Sequence, residues 1–437
     1  LFLHTHIFVP FADKSKSREE SFLKEKGKRD SMMSNNDLFT LYRARYVMPM
    51  AEPLIEDGAV IVRDGIIAAV GKYQDLRGRY SFTSSHDLGE VILMPGLINA
   101  HAHLDYTMMR NQLTPGTSFT TWIQQLNKIK FSLSEQDFLR AIVEGVQELY
   151  AWGCTTICNI ESFPNLLFKV PKLPLRLYQF LEVIDIRSKE QGREGIAMME
   201  SFFKKKTRAQ CGFGVSPHAP YTSSQSLYRS AAQLARKYEI PFCTHLAESQ
   251  EENEMFTQKK GLLYEFLNNG GYEKCDYGFQ TPLQVLLKNN LLPRGSMLVH
   301  MNFLSDQDRL LLAPRGHDFF IIHCPKTHHF FERPPFDWKF FYHNEFPLLL
   351  GTDSLASNDS LNLFEEMQSM VATAPELRPE AILKMVTLHP AAAIGMKGRL
   401  GELSAGAFAD MIAIPFLGRM KNVSESVIEN RLFPKVI

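Results

Sequence analysis

"LMPGLINAHAHLD", residues 93 to 105, places His101 and His103 one residue apart behind an apolar run of strand character. In a strand, positions i and i+2 face the same way, so both imidazoles project together from its end. Two rings converging there point to a metal. Further along, His245 and Glu248 in "THLAES", His300 in "LVHMNFLS" and Asp353 in "LLGTDSLASN" close other apolar runs. A divalent transition metal accepts imidazole nitrogen and carboxylate oxygen, and a catalytic ion keeps a position open for water. His101, His103, His245 and Asp353 offer such a donor set. An ion held there lowers the pKa of its water from about 15.7 to roughly 7. Glu248 then stands where it can carry a proton from water to a substrate nitrogen. His300 is expected to donate a hydrogen bond to the developing oxyanion, and Asp353 to accept the water's second proton.

Those side chains are far apart in sequence, so the fold must assemble them. Between about 95 and 392, apolar runs of strand length alternate with segments of helical periodicity, the pattern of repeated βα units. The strand candidates are "LMPGLINAHAH", "GCTTICNI", "PLRLYQFLEVID", "AQCGFGVSPHAP", "IPFCTHLAE", "SMLVHMNFL", "DFFIIHCPKT" and "FPLLLGTDS". Eight units close most simply as a TIM barrel, whose active-site residues lie at the C-terminal ends of the strands. His101, His103, His218, His245, Glu248, His300 and Asp353 all fall at such ends. Residues 37 to 92 show short alternating runs broken by glycine turns, and 398 to 416 read the same way. The expected fold class is therefore α/β, a distorted (β/α)8 barrel over 95–395 with a small composite β-sandwich from 36–94 and 396–437.

Composition narrows the partners. The 48 basic and 48 acidic residues balance, leaving no global field for nucleic acid or an anionic membrane. No run of eighteen apolar residues is present to span a bilayer. A small-molecule substrate is the expected partner, with a homodimer as the expected assembly if there is one. The six cysteines, 154, 158, 211, 243, 275 and 324, show no CxxC spacing and read as buried thiols of a reducing cytoplasm. Residues 1–35 read as a disordered extension, whose His4 and His6 lack a strand or partner ligands.

"PGLINAHAHLDY", "SPHAPYTSS", "THLAES", "LVHMNFLS" and "LLGTDSLASN", in that order, resemble the metal-dependent deaminase and chlorohydrolase branch of the amidohydrolase superfamily, over roughly residues 38 to 415. The resemblance implies one zinc or iron ion on His101, His103, His245 and Asp353, a proton shuttle at Glu248, water polarisation by His300 and a substrate contact at His218. Two-metal members carry a bridging lysine on the fourth strand, which "CGFGVSP" lacks. "PGTSFTTWIQQL", "FLEVID" and "CPKTHHFFERPPF" are most similar to aminodeoxyfutalosine deaminases, which convert a 6-aminopurine nucleoside to its 6-oxo form. Deaminases of simple adenosine thioethers carry an acidic residue about nine positions after the tryptophan; here Phe131 stands near that place after Trp122. Further substrate contacts are expected from Arg110, through its planar guanidinium, and from Glu182 and His328. The alternative activities on this scaffold are hydrolysis of a cyclic amide or of a carbon-chlorine bond. A noncatalytic binding barrel would be marked by missing ligands, and here the set is complete.

Overall fold

The computed structural model describes residues 39–163, 166, 169–205, 212–270 and 278–437; residues 1–35, Cys211 and Cys275 lie outside them. Each barrel strand expected from sequence is present: β6 Leu97–Ala102, β7 Cys154–Glu161, β8 Arg176–Val183, β9 Phe213–Pro217, β10 Cys243–Leu246, β11 Ser296–His300, β12 Phe319–His323 and β13 Leu348–Leu350. All ladders among them are parallel, in two four-stranded sheets ordered β6-β7-β8-β9 and β10-β11-β12-β13. Single parallel bridges, Val215 with Phe242 and Ala102 with Asp353, join the sheets at both seams. The eight strands thus ring a TIM barrel.

The strands read as unbroken apolar and β-branched runs because both faces are covered. Every residue of "CTTICNIE" in β7 is buried. Its preceding helix, Glu135–Ala151, starts at a capping box between Ser134 and Asp137 and buries Phe138, Ala141, Ile142, Gly145, Val146 and Leu149. That spacing is one stripe of a 3.6-residue period, and it is the face laid on the barrel.

The two chain ends meet in one seven-stranded mixed sheet. It contains β1 Phe39–Val47, β2 Ile55–Arg63, β3 Ile66–Lys72, β4 Phe82–Asp87, β5 Val91–Pro95, β14 Met411–Pro415 and β15 Lys435–Val436. Asp64 and Gly65 turn β2 into β3 with φ of 52° and 72°, the left-handed pair a two-residue hairpin needs. Both sheet faces are apolar. Ala59 and Ile61 pack with Phe39, Leu41 and Leu76, while Val60 between them packs with Ala44, Leu93 and Met411. β5 ends one residue before β6 begins, so this sheet delivers the chain directly into the strand that carries His101. Among the described residues, no helix is long and apolar enough to cross a membrane.

Candidate active site

The seam between β6 and β13 builds half of the site. Asn99 Nδ2 donates to Thr352 Oγ1 at 2.8 Å, and the Thr352 and Asp353 amides each donate to the His101 carbonyl at 3.1 Å. Asp353 takes a left-handed φ of 54°. The turn brings its Oδ1 to 3.4 Å from His101 Nε2 and 3.8 Å from His103 Nε2. A left-handed non-glycine residue is costly, and its position on this carboxylate marks a site where geometry is held against preference. Gly351 permits the approach, because a Cβ there would lie 2.7 Å from the His101 Cβ.

The seam between β9 and β10 builds the other half. The His245 amide donates to the His218 carbonyl at 2.9 Å, and His245 Nδ1 lies 3.0 Å from the same oxygen. Only a protonated Nδ1 satisfies that carbonyl, so Nε2 of a neutral His245 carries a lone pair. His245 Nε2 sits 3.2 Å from His103 Nε2. Burial holds the imidazole of His245 down to about 3 and that of His103 well below its usual range, and neighbouring imidazoles add to both shifts. Neutral rings therefore crowd their nitrogens onto one point. Both ring nitrogens of His101 and Nδ1 of His103 are buried without a well-formed hydrogen bond. Burial by itself would raise Asp353, but its approach to the His101 imidazole, with the charge of the Arg333 guanidinium, holds it below the usual carboxylate range. Lone pairs and a carboxylate gathered around one point fit a divalent cation and suit nothing else so well.

Glu248 and His300 stand beside this cage. His300 ends β11 with φ of 77°, and its Nε2 lies 3.5 Å from Glu248 Oε1 and 4.0 Å from Asp353 Oδ2. Burial pushes Glu248 up to about 7, Asp353 adds to the rise, and Arg333 opposes it. Arg333 Nη2 lies 3.0 Å from Glu248 Oε1, and both side chains are under a tenth exposed. Glu252 accepts from the Glu248 amide at 2.7 Å, and Asn302 Nδ2 donates to the Glu248 carbonyl at 3.1 Å. A carboxyl poised near neutrality and fixed from both sides suits proton transfer.

A cavity of about 210 Å³ opens over these groups. His103, His218, His245, Glu248, His300, Asp353 and Glu182 line it, together with Tyr106, Phe119, Trp122, Lys130 and Tyr221. The structure thus brings together every sequence-predicted residue except two. Arg110 pairs with Glu148 and the Asp359 carbonyl, tying the loop after β6 to the helix Glu135–Ala151 and to the loop after β13 instead of reaching the cavity. His328 lies 3.2 Å from Asn302 Oδ1 and 2.7 Å from the Pro334 carbonyl, behind the cavity wall. The sequence reading missed Arg333 and Lys130. Arg333 sits in an irregular loop that periodicity does not orient, and only the need of a buried Glu248 for a cation signals it.

Residues 92–431 match the Amidohydrolase family. The chain belongs to the amidohydrolase family. Among relatives of this amidohydrolase, the 5-methylthioadenosine/S-adenosylhomocysteine deaminase of Syntrophobacter fumaroxidans is 29% identical over 373 residues, covering 83% of this chain and 80% of that one. Among solved structures, the Helicobacter pylori aminofutalosine deaminase in complex with methylthio-coformycin superposes with a TM-score of 0.78 at 21% identity, covering 91% of this chain and 97% of that one. A Xanthomonas campestris adenosine deaminase with bound zinc gives 0.76 at 23%, covering 89% and 88%. At such identities the structural likeness shows the shared fold. The family match and the deaminase relatives agree with the metal-dependent deaminase and chlorohydrolase branch that the sequence motifs resemble.

Proposed function

We propose that this amidohydrolase removes the amino group of a 6-aminopurine nucleoside, of which aminodeoxyfutalosine is the leading candidate. The observation that carries the reading is the cage of His101, His103, His245 and Asp353 with Glu248 beside it at the floor of one cavity. These four residues would hold one divalent ion, zinc in preference to iron. Such an ion, when bound, makes water acidic enough to yield hydroxide near neutral pH.

The chain's own groups account for the proton traffic. Glu248 accepts a proton from water and delivers it to the ring nitrogen beside the amino-bearing carbon. The new carbon-oxygen bond forms there, and His300 steadies the oxygen as charge develops on it. Asp353 accepts the second proton and passes it to the leaving amine. The carbon-nitrogen bond then breaks to give the 6-oxo ring and ammonia. His218 and Glu182 contact the substrate beside His245; Arg110 and His328 take no part in binding it.

The test is ammonia release from a panel of aminated purine and pyrimidine nucleosides that includes aminodeoxyfutalosine, with cyclic amides and chlorinated triazines as comparison substrates. Ammonia from 6-aminopurine nucleosides, lost in Glu248→Gln with metal content unchanged, supports the reading. Turnover of the comparison substrates alone, or full activity in Glu248→Gln, overturns it.

A further inference from the structure

Beside the cage, next to His245, a directed chain of hydrogen bonds ends in two acceptors with no hydrogen between them. Lys130 Nζ donates to Tyr106 Oη at 2.7 Å, Tyr106 Oη lies 3.3 Å from Ser162 Oγ, and Ser162 Oγ donates to Glu182 Oε2 at 3.0 Å. An ammonium only donates, so the tyrosine hydroxyl points on to Ser162, and the serine hydroxyl to Glu182. The chain holds the carboxylate in place with Oε1 buried and unpartnered. At the end of the neighbouring strand, Thr222 Oγ1 donates to the Ala219 carbonyl at 3.1 Å, so it can only accept from His218 Nδ1 at 2.6 Å. With its hydrogen on Nδ1, the imidazole of His218 presents a lone pair at Nε2. That nitrogen is 3.9 Å from Glu182 Oε1.

Two acceptors this close need a group that brings two hydrogens. A transition metal takes about four ligands, and His245, the third donor within reach, already turns its Nε2 toward His103. An amine donating both hydrogens from one nitrogen at about 2.9 Å would spread its acceptors to about 5 Å. Two hydroxyls on adjacent carbons each reach one acceptor at about 2.7–2.8 Å without sharing an oxygen. We infer that Glu182 and His218 clamp the vicinal diol of the substrate's furanose ring, with Lys130 acting through Tyr106 and Ser162 as the residue that positions Glu182.

This clamp rests on the nucleoside deaminase reading, and the experiment separates the two. Adenosine and 2′,3′-dideoxyadenosine are compared by kcat/KM with metal-loaded protein, and inosine and 2′,3′-dideoxyinosine by calorimetric binding. Hydrogen bonds to a charged acceptor predict a preference for the diol of roughly 10- to 100-fold in each comparison. Glu182→Gln should shrink that preference by weakening the riboside alone, since only the His218 contact stays intact. Lys130→Met should raise KM for adenosine while leaving its kcat and the dideoxy constants unchanged, a split that general loosening of the fold would not give. Equal kcat/KM for both adenosines in the unaltered protein removes the clamp and leaves the deaminase reading standing. No turnover of adenosine, aminodeoxyfutalosine or any other 6-aminopurine nucleoside, with inosine bound in preference to dideoxyinosine, removes the deaminase reading and keeps the clamp. No turnover of any of these nucleosides and no diol preference in binding removes both.

Discussion

Replacing Arg333 with methionine tests how the protein keeps Glu248 ready to accept a proton. The guanidinium lies 3.0 Å from the carboxylate in a site from which both side chains are nearly excluded from water. Stranding a buried charge normally costs about 3–5 kcal/mol. Glu248 has a cheaper route, because burial already lifts it to about 7. At pH 7 such a carboxyl is half protonated, and completing its protonation costs about 0.4 kcal/mol. The electrostatic part of the stability loss in Arg333→Met is therefore well under about 1 kcal/mol at neutral pH, readable by urea denaturation. Activity should respond far more. Removing an opposite charge within reach raises a carboxyl by about 1–3 pKa units. A proton acceptor works only when ionised, so the acid limb of the kcat/KM profile moves to higher pH by that amount. On that limb turnover falls roughly 10- to 1000-fold, and the two proteins converge at alkaline pH. A bound cation lowers the starting value in both proteins and leaves the displacement between them. An unmoved acid limb, or a loss of several kcal/mol in the metal-free protein, would refute this account of Glu248.

The backbone and the surrounding carboxyls give two further tests. Gly351→Ala would put a Cβ 2.7 Å from the Cβ and 2.8 Å from the carbonyl of His101. The overpacking should cost about 1–3 kcal/mol and weaken metal retention against a chelator, whereas unchanged retention would show that His101 does not depend on this approach. Burial pushes Glu252 up to about 8, above its ordinary 4.5, so the folded chain holds a proton there that the unfolded chain releases. Its contribution to stability is therefore greatest at low pH and declines as pH rises from about 4.5 to 8. In Glu252→Gln that portion of the decline should vanish from denaturation curves taken at pH 6 and pH 8.5, and an identical decline would assign it elsewhere.

The cage was legible because two kinds of information coincided in the chain. Apolar runs located the strand ends, and metal-binding residue types stood at those ends, so the barrel's rule joined His101 and His103 to His245 and Asp353 across many intervening residues. What the sequence could not convey is direction within loops and around helices. Arg110 follows His103 by seven positions, yet nothing in that offset tells that its guanidinium turns outward to Glu148. Lys130 looks like an ordinary last-turn helix lysine, and only the helix's rotation against the barrel brings its ammonium to Tyr106. The left-handed backbone at His300 and Asp353 was equally hidden, since histidine and aspartate carry no mark of it comparable to glycine. Tautomers depend on contacts made across the barrel, so the two-acceptor pair at Glu182 and His218 emerges only once the strands are in place.

His101, His103, His245 and Asp353 are expected to close on a single ion. Elemental analysis of purified protein, joined to anomalous diffraction at the absorption edge of the metal found, tests it most directly. One equivalent of zinc or iron per chain, within about 2.0–2.2 Å of nitrogens from all three histidines and an oxygen of Asp353, is the predicted result. An ion bound elsewhere, or a fully active protein that carries none, would contradict it.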